Sequence, residues 1–414
     1  MKIAIIGSGI SGLTCGYYLH KNHSIKIFEA NDYIGGHTST VKVAEDEKTF
    51  NIDTGFIVFN QKTYPNFLEL LKTLDVPYQK TFMSFSVKSE GEDFEYNGTS
   101  LNSLFAQRRN LFRVKMYCII YGIFHFNRCA KRYIEEGKQT NSFGDFLTES
   151  RISQDVIRYY VLPMVSAIWS ADFSNVYDFP AIFLLRFWHN HGFLEINERP
   201  QWFVVKDGSS SYIKKMILGF KKDIFLSSRV EKVSRIKNKV LVKALRKDPE
   251  EFDKVIFANH SDQVLSILEK PSDLEKSILE SIPFKANHVT LHTDRSLLPK
   301  RRLAWAAWNY RLNPKSRNDS TVTYNMNILQ SLNTKKTYCV SLNQDHLIDQ
   351  SKIIYKNVYH HPIFTLNSTA SQERLKENLG RDNTYFVGAY LQNGFHEDGV
   401  VSAKRVVKHI EEKL

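Results

Sequence analysis

The chain opens on a short apolar run, Lys2-Ile-Ala-Ile-Ile6, closed by glycine. Its lack of polar alternation predicts a strand buried on both faces. A helical stretch from Leu13 to Leu19 and a second strand, Ser24-Ile-Lys-Ile-Phe28, follow at once. From Tyr64 to Leu74 the residues Phe67, Leu68, Leu70, Leu71 and Leu74 fall at helical spacing, and Leu101 to Glu136 reads as one or two long helices, so a helical substrate domain is implied. Ile224 to Ser227, Val230 to Ile236 and Val240 to Leu245 alternate as strands around a Lys-Asn turn, and Val255-Ile-Phe-Ala258 is another buried strand. Asn287 to Asp294 alternates likewise, with Trp305, Trp308, Tyr310, Tyr324 and Met326 in strand-like surroundings, which predicts a further sheet. Asn383 to Gly388 is a last apolar strand, and a final helix is expected over Ala403 to Lys413.

Between the first strand and the first helix stand Gly7, Gly9 and Gly12 in the order GxGxxG, with Ile10 and Ser11 inside the pattern. Gly7 permits the turn, Gly9 lets backbone N–H groups approach a pyrophosphate, and Gly12 lets helix and sheet pack closely. The helix start then offers its positive dipole to the phosphates. A lone glycine pattern is weak, but Glu29 ends the second strand seventeen residues after Gly12. Such an acid accepts both ribose hydroxyls and disfavours a 2'-phosphate, which argues against NADP. An α/β protein with a Rossmann-like dinucleotide domain is expected.

At 414 residues the chain exceeds the size of a single core, so two joined domains are expected. The net charge of +12 attracts polyanions, anionic lipid surfaces or acidic substrates. No nucleic-acid module accompanies that charge, and no nucleic-acid partner is expected. Cys15, Cys118, Cys129 and Cys339 are scattered, so neither a disulfide framework nor a zinc site is indicated, and His189 and His191 lack a carboxylate at metal spacing. No metal is expected. The apolar start is too short for a signal peptide, and no run reaches the ~18 apolar residues that cross a bilayer, so a cytoplasmic protein, at most peripheral on the membrane's inner face, is expected. Met116 to Phe126 is flanked by Arg108, Arg109, Arg113 and Lys115 on one side and Arg128, Lys131 and Arg132 on the other. This reads either as a core helix with solvated ends or as a contact with anionic lipid.

After Glu29 the stretch Ala30-Asn-Asp-Tyr-Ile-Gly35-Gly36-His37 resembles the flavin-containing amine oxidase superfamily. There the acid is followed by a glycine pair and usually an arginine that approach the FAD pyrophosphate; Gly35 and Gly36 match, and His37 stands in place of the arginine. Asn51-Ile-Asp53-Thr54-Gly55-Phe56-Ile57-Val58-Phe-Asn60 resembles the segment beside the isoalloxazine. Trp202 to Tyr212, with Gly208 alone where a pair is common, resembles the segment re-entering the FAD domain, and the residue at the place of Val230 binds adenine through its backbone. Lys285 is the nearest in chain order to the lysine that holds a water in many amine oxidases. Gly388, then Glu397, Asp398, Gly399, Val400 and Val401, resemble the closing motif, whose helix start faces the flavin pyrimidine and stabilises charge near N1 and O2. The pair DTGFIVFN and GFHEDG is similar to a branch of predicted FAD-binding proteins associated with cyclopropane-fatty-acid synthases, related to carotenoid desaturases and protoporphyrinogen oxidases.

The resemblance implies a two-dinucleotide-binding-domain flavoprotein with non-covalent FAD. Residues 1–60, 200–262 and 375–414 are expected to form the FAD domain, and 61–199 and 263–374 a mixed α+β substrate domain. It implies an FAD-dependent oxidoreductase acting on an organic substrate, first a lipid acyl chain. Two alternatives stay open: an amine oxidase, with an aromatic cage drawn from Trp305, Trp308 and Tyr390, and a non-catalytic FAD-bound partner of a lipid-modifying enzyme. No catalytic acid or base is identified; His260 and Asp262, at a strand's carboxyl end, are weaker candidates for chemistry.

Overall fold

The computed structural model describes residues 1–137, 141–170, 173–195, 199–312 and 321–413. Its first sheet is parallel throughout. Strand Lys2–Ile6 lies at the centre, with Ser24–Phe28 and Ile224–Phe225 to one side and Lys254–Phe257 and Thr384–Phe386 to the other. Ile3, Ile5, Ile27, Val255 and Ile256 are fully buried, as expected of strands covered on both faces. The helices Ile10–Leu19 and His396–Glu411 pack along one another against it. The first and last segments of the chain thus meet at the carboxyl end of the sheet, where ligands bind in open parallel sheets.

A three-stranded antiparallel meander, Val230–Ile236, Lys239–Ala244 and Glu250–Phe252, returns the chain to this sheet. A mixed seven-stranded sheet follows in the order Ile353–Pro362, Phe284–His292, Cys339–Leu342, Val322–Asn325, Trp308–Leu312, Phe85–Ser89, Phe94–Asn97. Two small sheets, Thr40–Glu45 with Lys48–Asp53 and Val58–Asn60 with Trp202–Val205 and Tyr78–Thr81, bridge the larger ones. A helical cluster, led by Val114–Glu136 and Ala181–Asn190, packs around Phe126, Phe146, Trp188 and Val165. Among the described residues no helix is long and apolar enough to cross a membrane.

Several boundaries differ from expectation. The final helix begins at His396, seven residues before the expected Ala403, because Asp398 accepts from the Phe395 amide at 2.8 Å and so caps the earlier start. The first helix begins at Ile10 rather than Leu13. The stretch from Leu101 to Glu136 breaks into a short helix, Leu101–Leu104, a tight turn, Arg108–Phe112, and one long helix. Met326 opens a short helix, Met326–Leu329, instead of lying in a strand, since Asn325 accepts from the Ile328 amide.

Candidate functional site

Four segments distant in sequence converge at the carboxyl end of the parallel sheet. In the glycine turn, a side chain at Gly12 would bring its Cβ within 2.0 Å of the Gly7 carbonyl, so only glycine permits this helix to lie so close. Gly9 behaves differently. A Cβ built there meets nothing within 4 Å, so the position faces open space. The helix beginning at Ile10 has no side-chain cap, which leaves its first amides directed at that space. Glu29 is buried and held in place: its carboxylate accepts from the Ser8 amide at 2.9 Å, the Ser8 hydroxyl at 2.6 Å and the Asn31 amide at 2.9 Å. Ala30, beside it, is exposed.

The Gly35-Gly36-His37 loop lies over this turn. A Cβ at Gly36 would sit 3.2 Å from the Gly9 Cα, and one at Gly55 would fall 2.0 Å from the His37 carbonyl. That carbonyl accepts from the Phe56 amide at 2.8 Å, which fastens the Thr54–Ile57 segment to the loop. Thr54 joins Tyr359 through their hydroxyls at 3.3 Å, and Ile57 is buried. Asp53 anchors the segment from behind, accepting from Thr40, from the Ser209 amide and hydroxyl, and from Gln330. Burial pushes its carboxyl up to about 6 against those hydrogen bonds.

The last helix closes the site. Gly399 faces Ile10 and Ser11 so closely that a Cβ would stand 2.8 Å from each side chain. His396 in its first turn stacks on Phe56, ring centroids 3.6 Å apart, and meets Thr38 Oγ1 at 2.9 Å and the Tyr212 hydroxyl at 3.1 Å. Burial holds this histidine well below its ordinary range, so it is neutral. Asp398 is buried and pushed up to about 7 by burial. Val400 is fully buried and Val401 partly so, while the Gly388 amide donates to Ser402 at 3.0 Å. Val230 opens the meander at the sheet's flank and is buried.

Glu397 is turned elsewhere. Its two oxygens accept from the Asn66 amide and side chain and from the Phe67 amide, capping the helix Pro65–Thr73. The aromatic cage does not assemble either. Trp305 donates to the Pro299 carbonyl and Trp308 packs edge-on to Tyr324, three strands away from Phe284, against which Tyr390 packs. His191 is buried with its nitrogens on Phe187 and Thr63 while His189 is exposed, so the pair diverges.

Sequence reasoning missed a histidine cluster. The His37 ring stacks on Tyr359 at 4.8 Å and lies 5.4 Å from His361 and 6.2 Å from His260, which stacks on Phe284 and neighbours His360. His37 Nε2 is buried without a hydrogen-bond partner among the described residues. Burial, then the neighbouring imidazoles, lowers His37 and His361 to about 3 and His260 to about 4, so all three are neutral. Lys285 sits directly across from His361 in the sheet. The adjacent His360-His361 pair was the one signal in the sequence, and nothing local ties it to His37, more than 300 residues earlier.

An open glycine position under uncapped helix amides and an orphaned imidazole nitrogen fit a pyrophosphate, and the acid beside them is an acceptor that fits a ribose. A family model described as flavin containing amine oxidoreductase matches residues 10–336. The chain belongs to this family. It is an FAD-dependent oxidoreductase. The 15-cis-phytoene desaturase of Synechococcus elongatus is 34% identical over 88 residues, which make up 21% of this chain and only 18% of that protein. Cyclohexylamine oxidase from Brevibacterium oxydans IH-35A superposes with a TM-score of 0.72 at 14% identity, covering 100% of this chain and 99% of that one. A CLA-producing fatty acid isomerase from P. acnes gives a TM-score of 0.69 at 16% identity, covering 98% of each chain. At such identities the two structures share the fold alone, a two-domain flavoprotein fold.

Proposed function

We propose that this FAD-dependent oxidoreductase oxidises or desaturates the acyl chain of a lipid. The carrying observation is the aromatic tract beside the first turn of the last helix. Phe395 stacks on Phe187 at 4.8 Å, Trp169 lies 4.7 Å from Phe187, and Phe183 and Phe364 extend the tract at 4.9 Å from each other. Its polar tips are turned away, Trp169 donating to the Asn393 carbonyl and His191 held neutral by burial. The nearest acids suit an ammonium poorly, because Glu397 is consumed by helix capping and Asp398 holds its proton up to about 7. The short match to a 15-cis-phytoene desaturase supports the same reading.

In this reading residues 1–60, 200–262 and 375–414 bind the cofactor, and 61–199 and 263–374 shape the substrate side. Gly7, Gly9 and Gly12, with the amides of Ile10 and Ser11, would hold the pyrophosphate together with Gly35, Gly36 and His37. Glu29 would hold ribose, and the Val230 backbone adenine. Thr54 to Ile57, Gly388 and Asp398 to Val401 would line the ring system. When bound, FAD supplies a two-electron acceptor for hydride leaving a substrate carbon. The chain's own part is to orient and to exclude water, with the amides opening the last helix presenting their positive dipole. The protein would work in the cytoplasm, drawing its substrate from an anionic membrane.

Anaerobic bleaching of the yellow protein tests this. Vesicles with unsaturated chains should bleach it and a panel of primary amines and polyamines should not. Bleaching by an amine alone would establish the amine oxidase reading, and a flavin that stays oxidised with every substrate class would favour a non-catalytic partner of a lipid-modifying enzyme.

A further inference from the structure

From Gly98 to Ile134 the chain holds no aspartate or glutamate and seven cations: Arg108, Arg109, Arg113, Lys115, Arg128, Lys131 and Arg132. All but the last two residues of the two-sided helix Val114–Glu136 lie in this acid-free stretch. Met116, Ile119, Phe126 and Ala130 face the core and are buried. The opposite face is not polar. Tyr117, Tyr121 and Phe124 recur at helical spacing with exposures of 50%, 73% and 52%, and the preceding turn adds Phe112, 89% exposed, beside Leu111 and Val114. Arg128 continues the same face one turn beyond Phe124 and is itself exposed.

An apolar ridge of this kind, about 15 Å long at 1.5 Å per residue, is costly in water unless something covers it. Its charge decides what. Arg108 bonds only to Asn102 and Phe105, and neither it nor Arg128 pairs with a carboxylate among the described residues. The acids nearby are neutralised within the fold, Asp93 by Arg109 and Glu92 by Lys115 and Arg158. A second copy of the chain would set cations against cations across a two-fold interface. An anionic bilayer meets both demands at once: aromatic side chains enter the headgroup boundary while arginines at either end meet phosphates.

We propose that Phe112, Val114, Tyr117, Tyr121 and Phe124, flanked by Arg108 and Arg128, dock this protein in-plane on an anionic membrane surface. The docking rests on the lipid reading for its purpose, but its test reads binding alone, so the two fail separately.

The test is flotation of the yellow holoenzyme with phosphatidylcholine vesicles, with and without phosphatidylglycerol. The protein should float with the anionic vesicles alone, less so as salt rises. The double variants Phe112→Ser/Tyr121→Ser and Arg108→Glu/Arg128→Glu should each weaken binding on the order of tenfold, with the flavin spectrum unchanged. Reversing the exposed Lys221 and Lys222 should leave binding as it was. No flotation with anionic vesicles, equal loss in the Lys221/Lys222 variant, binding untouched by Phe112→Ser/Tyr121→Ser, or a dimer that this variant dissolves would each overturn the proposal.

Discussion

Glu397 Oε2 accepts from the Phe67 amide at 2.9 Å, and Oε1 accepts from both nitrogens of Asn66. An acid in the first turn of the last helix thereby caps the helix Pro65–Thr73, whose own N-terminal residue Tyr64 supplies no side-chain bond. Replacing Glu397 by Ala strands buried amides and should cost roughly 2–4 kcal/mol, whereas Glu397→Gln keeps one acceptor oxygen and should lose less. Denaturant unfolding of both variants checks this. Equal loss in the two would mean that charge, not hydrogen bonding, holds the contact.

The glycines of the first turn should separate folding from cofactor uptake. Gly9 has φ −70°, open to any residue, and its Cβ position is empty, so Gly9→Val should fold but fail to take up FAD. Gly12→Val meets the Gly7 carbonyl and should not yield folded protein at all. Circular dichroism alongside the flavin absorbance of each purified variant distinguishes the outcomes.

Asp398 should make the apoprotein less stable in mild alkali. Its folded value, about 7, lies above the ordinary 3.8, so the folded state holds the proton more tightly. The stabilisation is complete below pH 3.8 and is lost as pH rises through about 7. Asp398→Asn removes this dependence, and the difference between variant and wild type should change by roughly 2–4 kcal/mol from pH 4 to pH 8. Parallel denaturation curves at the two pH values would show Asp398 to be ionised throughout.

The histidine cluster predicts proton uptake on FAD binding. His37, His260 and His361 are neutral at pH 6, and a pyrophosphate beside the orphaned Nε2 of His37 would raise their affinity for a proton. FAD should therefore bind more tightly at pH 6 than at pH 8, and calorimetry in buffers of different ionisation enthalpy should register the uptake. His37→Gln should abolish most of the pH dependence while keeping the fold.

Much of the cofactor half was legible because its signals are local. The first strand, the glycine turn, the second strand and Glu29 occupy fewer than thirty consecutive residues, and each constrains backbone geometry that only certain residue types meet. The helix periodicity of 64 to 74 was equally local, and it returned as Pro65–Thr73. The strand expected over Asn383 to Gly388 returned as Thr384–Phe386, but the helix after it was started too late, since the cap that begins it is a bond between Asp398 and the Phe395 backbone, invisible to hydrophobic spacing.

By itself the sequence determined the parallel-sheet dinucleotide fold, the FAD family and the acid-free basic stretch, because these depend on residues near one another along the chain. Only the tertiary structure decided that Glu397 caps another helix, that four histidines from three distant segments meet, that Trp305, Trp308 and Tyr390 stay apart, and that the 114–136 helix turns Tyr117, Tyr121 and Phe124 outward. Burial and pairing across hundreds of residues set those outcomes, and periodicity records how often an apolar residue recurs, not which neighbour covers it.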